Sequence, residues 1–211
     1  MRIRVLAASL SALAGFVDAI GYVHLGGFFV SFMSGNTTRI GVGLTERGGD
    51  ALIAGGLVVT FVAGVVLGSL ASRQFGTRRR SAVLALVAIL LVLAALFAIA
   101  DYEAATAVAM ALAMGAENAV FAEDGDVHIG LTYMTGTLVK LGQHVAIAVA
   151  GGAPFGWVPY LMLWAGLLAG GIAGAASYAV LGMSALWLAS AAAAVAAITA
   201  ARIGPGRRGT S

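Results

Sequence analysis

SFMSGNTTRIGVGL, residues 31 to 44, interrupts a chain that is otherwise long blocks of Ala, Val, Leu and Gly. Ser34, Asn36, Thr37, Thr38 and Arg39 fall within six residues, beside Gly35. Further along, TYMTGTLVKLGQHV at 132 to 145 repeats the pattern. Whether these two stretches cross a membrane, cap short helices inside one, or lie outside it decides the fold.

The chain is 61% hydrophobic and 10% charged, against about 25% charged in ordinary soluble domains. Its mean hydropathy is +0.99. Apolar blocks recur at 51–72, 81–100, 104–122, 157–180 and 183–201, and a sixth, 5–26, is interrupted only by Asp18 and His24. Each is near the roughly 20 residues that a helix needs to cross a bilayer. The reading is an all-α integral membrane protein in one domain, residues 1–211. MRIR and the apolar run after it also fit a cleaved leader, but the repeat described below needs this segment in the fold. With no cysteine, disulfides and thiolate metal sites are excluded. The formal charge of +3 does not suggest nucleic acid, because the basic residues sit between the apolar blocks.

Those residues orient the chain. Lys and Arg mark cytoplasmic loops, and the clusters are MRIR, SRQFGTRRR at 72–80, and Arg202, Arg207 and Arg208. Placing all three inside requires an even number of crossings between them. Six crossings satisfy this, with both polar motifs failing to cross and both termini cytoplasmic. The alternative is seven, because 131–152 is apolar enough to span alone.

Met33 to Gly41 aligns without gaps on Met134 to Gly142. Upstream, GFVDAI at 15–20 matches GAENAV at 115–120, so Asp18 falls on Asn118 with Glu117 alongside. Downstream, AGVVLG at 63–68 resembles GGIAG at 170–174. The halves, about 5–100 and 104–201, would each contribute three crossings. The second then enters the membrane from the opposite side, as a 3+3 inverted repeat.

In this reading the motifs are partial or broken helices. Ser34 or Asn36, and Thr135 or Thr137, cap a helix start, while Gly35 and Gly136 free the backbone. The free amides and positive dipole end then offer a place for an anionic or polar group. The two starts are expected to face each other near the membrane centre, with Thr37, Asp18, Glu117 and Asn118 enclosing one polar site. An ionisable residue within a span is a functional candidate, and Asp18 is expected to exchange a proton. Arg39 and Lys140 match between the halves and are expected to counter Asp18 and Glu117, or to bind the solute. His144, four residues after Lys140, shares its helix face and extends this to a proton relay. EDGDVH at 123–128 lacks the length and later Glu of a calcium loop and reads as a solvated turn, so no metal and no cofactor are expected. The small-residue runs at 55–69 and 165–177 suit close helix packing, within the protomer first and in a homodimer second.

The stretches 15–44 and 114–145, with the total length, resemble the YoaK family of bacterial inner-membrane proteins. That resemblance implies a multi-pass protein and supplies no substrate. GSLASRQFGTRRR at 68–80 is similar to the loop between helices 2 and 3 of major-facilitator transporters, with Ser72 where that loop has Asp and one extra residue before Gly76. The resemblance implies half of such a transporter. Serine-hydrolase, zinc-protease and phosphate-loop signatures are missing from the sequence, so no enzyme is expected. The functional reading is a small secondary transporter of a polar or anionic solute, proton-coupled through the acids. The alternative is a membrane scaffold that binds a partner and moves nothing itself.

Overall fold

The structure, a computed structural model, describes residues 2–46, 48–123, 126–127 and 133–203. Part of the acidic stretch at 123–128, together with Leu131, Arg207 and Arg208, lies outside the described residues. Among these residues eight α-helices follow in order: α1 (Arg2–His24), α2 (Met33–Thr45), α3 (Gly49–Phe75), α4 (Arg79–Ile99), α5 (Glu103–Glu117), α6 (Met134–Val149), α7 (Val158–Leu181) and α8 (Leu186–Ile203). Short 3-10 turns at 76–78, 118–121 and 182–185 link or extend them, and residues 122–123 pair antiparallel with 126–127.

Among the described residues, four continuous helical stretches are long and apolar enough to cross a membrane: Arg4–His24, Gly49–Ile99, Glu103–Phe121 and Val158–Arg202. The second and fourth run 51 and 45 residues. At about 1.5 Å per residue each would span a bilayer twice. Each contains one glycine with a left-handed backbone, Gly76 (φ +46°) and Gly182 (φ +56°), a conformation that costs a residue with a Cβ. Divided there, the four stretches supply up to six crossing helices. In contrast, α2 has 13 residues and α6 has 16. At about 20 and 24 Å both fall short of a hydrocarbon core of roughly 30 Å.

Association in lipid rests on close backbone approach and polar ties, since lipid is as apolar as leucine. The glycines supply the approach. A Cβ on Gly170 would strike the Ala12 carbonyl, and one on Gly174 the Phe16 carbonyl. Because both numbers rise together, α1 and α7 run parallel. A Cβ on Gly64 would strike Leu112, and one on Gly68 Ala116, so α3 and α5 are parallel too. Ser11 adds a tie by donating its hydroxyl to the Leu163 carbonyl at 3.0 Å. Between these crossings, Leu84 and Leu91 of α4, Met110 and Met114 of α5 and Leu186 of α8 are fully buried.

Two expectations about helix starts need correction. The N-cap residues are Phe32 and Tyr133, and neither makes a side-chain cap bond. Ser34, Asn36, Thr135 and Thr137 therefore lie inside the first turn of their helices. The rings explain the early start. Gly35 lies under the Phe29 and Phe32 rings and Gly136 under Tyr133, so close that a Cβ would collide.

Candidate functional site

After α1 the chain turns at Gly26 and Gly27, both left-handed (φ +68° and +98°). It then runs back along the helix it has just left. Gly21 permits this: a Cβ there would sit 2.9 Å from a Val30 methyl. Phe28 and Val30 are buried in the descent. Residues 28–32 thus enter the protein as non-helical backbone, and α2 leads out again toward α3. Irregular backbone at membrane depth must have its polar groups satisfied by protein or by a wet cavity.

Two candidate residues do that here. Asp18 Oδ1 accepts from the amides of Val30 and Ser31, both at 2.8 Å. Asn36, wholly buried, accepts from the Phe29 amide through Oδ1 at 3.0 Å and donates to the Phe29 carbonyl through Nδ2 at 2.6 Å. Asp18 and Asn36 therefore hold one short stretch from opposite sides. Tyr22, Phe29 and Phe32 close over it, with ring centroids 4.8 and 5.1 Å apart along the series.

The amides at the start of α2 are less available than the sequence suggests. Met33 donates to the Ser31 carbonyl, and Gly35 and Asn36 both donate to that of Phe32. Ser34, Thr37 and Thr38 are exposed, and both threonine hydroxyls bond back to carbonyls four residues earlier. Arg39 does not counter Asp18. Its guanidinium lies 4.5 Å from the Phe28 ring centroid and 3.7 Å from Asp50, because the turn at Gly27 brings Phe28 to it.

In the second half, Thr137 is buried and bonds back to the Tyr133 carbonyl at 3.2 Å. Thr135 and Lys140 are exposed. His144 stacks on Tyr160 of α7, with centroids 5.0 Å apart, so it faces α7 as an aromatic packing group. Asn118 donates to the Met114 carbonyl at 2.9 Å. Glu117 is different. It is wholly buried, and neither of its carboxylate oxygens has a hydrogen-bond partner among the described residues. An unpaired charge in such a place is very costly.

Three residues outside the expected set also stand out. Ser11 ties α1 to α7, His24 meets the Tyr178 hydroxyl at 3.3 Å, and Arg80 has a buried Nε without a hydrogen-bond partner. Nothing in one dimension separates Arg80 from the other arginines of its loop; only its place on the face of α4 does.

Among known proteins, a family model described as a protein of unknown function (DUF1275) matches residues 6–199. A UPF0700 transmembrane protein of Rhizobium meliloti is 40% identical over 195 residues, covering 89% of this chain and 81% of that protein. No solved structure matches.

Proposed function

The chain belongs to the DUF1275 family, of unknown function; its long apolar helices and its transmembrane relative make it a multi-pass membrane protein, and from that premise we propose that it is a small secondary transporter of a polar or anionic solute. Its plan is the 3+3 inverted repeat, with six crossings and both termini cytoplasmic.

One observation carries this reading: the same helix crossing occurs twice. A Cβ on Gly15 would meet Leu167 and Gly171, and one on Gly115 would meet Phe61 and Val65. Adding 100 converts Gly15 to Gly115, and adding 106 converts Phe61 and Val65 to Leu167 and Gly171. The same two shifts carry the Ala12–Gly170 contact into Leu112–Gly64 and the Phe16–Gly174 contact into Ala116–Gly68. They also relate the helix breaks at Gly76 and Gly182. In each case a helix of one half packs on the third-numbered helix of the other. Parity supports six crossings over seven. Parallel α1 and α7 need an odd number of crossings between them, which α3, α4 and α5 supply and a crossing α6 would spoil.

Repeats of this kind place a solute site where the halves meet, with non-helical backbone lining it. The descent at 28–32 is such backbone, held by Asp18 and Asn36. Of the two acids, Glu117 suits proton exchange better, because Asp18 Oδ1 is already committed to two amides. The test is uptake by the purified protein in liposomes across a panel of small polar and anionic solutes, with and without a proton gradient. At least one solute is expected to accumulate and to raise the melting midpoint, since a ligand of the folded state stabilises it. Glu117→Gln is expected to abolish the gradient-driven part. If no solute enters or stabilises and a defined protein co-purifies instead, the scaffold alternative stands.

A further inference from the structure

The break between α3 and α4 carries a charge pattern that the proposed transport leaves unused. Arg73, Arg78, Arg79 and Arg80 fall within eight residues, and no acid occurs from Ala51 to Ala100. Arg73 and Arg78 are exposed and enter no ion pair among the described residues. A basic loop orients the chain while it inserts. In the finished protein these exposed guanidiniums still need an anion beside them.

Helix length says which anion lies at that level. α3 has 27 residues and α4 has 21, about 40 and 32 Å. The hydrocarbon core takes roughly 30 Å, and about 40–45 Å with both headgroup layers. With the core filled by the apolar middles of the two helices, the turn at Gly76 emerges among the headgroups. Leu70 and Phe75, beside the arginines, are 58% and 53% exposed, and Leu70 lies one turn before Arg73 on the same side of α3. The patch is thus apolar toward the acyl chains and cationic toward the phosphates, the order of groups in an anionic lipid. The matching break has the same shape and none of this chemistry. Adding 106 carries Gly76 to Gly182, both left-handed, and carries the four arginines to Ala179, Ser184, Ala185 and Leu186. Joining two crossing helices therefore needs no charge of itself.

We propose that the α3–α4 break is a docking rim for anionic phospholipid, with headgroup phosphates against Arg73 and Arg78 and the upper acyl chains against Leu70 and Phe75. Guanidinium groups hold phosphate through charge-assisted, often paired hydrogen bonds, and each basic residue at an anionic surface adds to the attraction. The six-crossing reading, on which the choice of leaflet rests, puts this rim in the cytoplasmic one. The break at Gly182 takes no charged lipid, so the two faces of the molecule meet the bilayer differently.

The test is the melting midpoint of the purified full chain in detergent with one addition at a time: phosphatidylglycerol, phosphatidylcholine with the same acyl chains, or inorganic phosphate. Phosphatidylglycerol is expected to raise the midpoint by roughly 5–10 °C, the shift for a ligand at about a hundred times its dissociation constant in a chain of this size. The other two are expected to raise it by under about 2 °C. Replacing both arginines, Arg73→Gln with Arg78→Gln, is expected to remove most of the phosphatidylglycerol shift and to leave the lipid-free midpoint within about 2 °C. Should that pair not fold, Arg78→Gln alone is expected to give up about half of the shift. Equal shifts from the two lipids, the full shift from inorganic phosphate alone, or an undiminished shift in the variant that folds overturns the rim. Because no transport is measured, an absence of uptake would sink the transporter reading and leave this result standing.

Discussion

Asn36 commits both ends of its amide to one residue, Phe29, and that makes it the residue whose loss is easiest to forecast. Asn36→Ala leaves a buried amide and carbonyl unpartnered, at a cost of about 2–3 kcal/mol, to be read as a lower midpoint. Asp18 separates two roles. Asp18→Asn keeps an oxygen that can accept from Val30 and Ser31, so it is expected to cost under about 1 kcal/mol. Asp18→Ala removes the acceptor and is expected to cost about 2–3 kcal/mol. Equal losses in the two variants would show that the charge matters more than the bonds. The polar residues of 31–44 were legible in the sequence as special, but their partners were not. Asn36 reaches back seven residues into a segment whose path depends on two left-handed glycines, and Arg39 finds Phe28 and Asp50 only once that path exists.

At the scale of the element, glycines divide into those that touch and those that do not. Gly115→Ala drives a methyl into the Phe61 carbonyl, and Gly170→Ala drives one into that of Ala12. Each is expected to cost about 2–3 kcal/mol, since backbone cannot move aside as a side-chain end can. Gly55→Ala and Gly56→Ala meet nothing within 4 Å and are expected to leave the midpoint unchanged or to raise it slightly. Thermal unfolding of the four variants in one detergent compares them directly; parity between the pairs would remove the crossings as the basis of packing. The long apolar helices were readable from length and composition alone. The starts of α2 and α6 were not, because the aromatic rings crowding Gly35 and Gly136 displaced the hydroxyl and amide caps that local preference favours.

For the whole molecule, the parallel course of α1 with α7 and of α3 with α5 fixes which loops share a side. Reporter fusions at Tyr102, at Gly152 and after Ile203 are expected to read outside, inside and inside. A fusion after Ile203 that reads outside would contradict six crossings and the inverted repeat together. The proposed duplication shows in the sequence as three short matches, of which the downstream one is weak by itself. Its support is spatial: the matched glycines lie against carbonyls that are themselves matched, a relation between four residues that no comparison of two strings contains.

The swapped pairing also sets a timetable for making the protein. A helix of the first half finds its partner only in the second, so α1 leaves the ribosome long before α7 exists. Ala8 and its neighbour Gly166 are separated by a length of chain that takes roughly 8–32 s to synthesise at 5–20 residues per second. Through that interval the face of α1 that carries Ser11 and Gly15 stands against lipid or against whatever protein guards newly inserted helices. α3 waits a shorter time for α5. A nascent chain halted before residue 158 would therefore expose an unmatched seam, and cells that stall there are expected to degrade the fragment rather than store it.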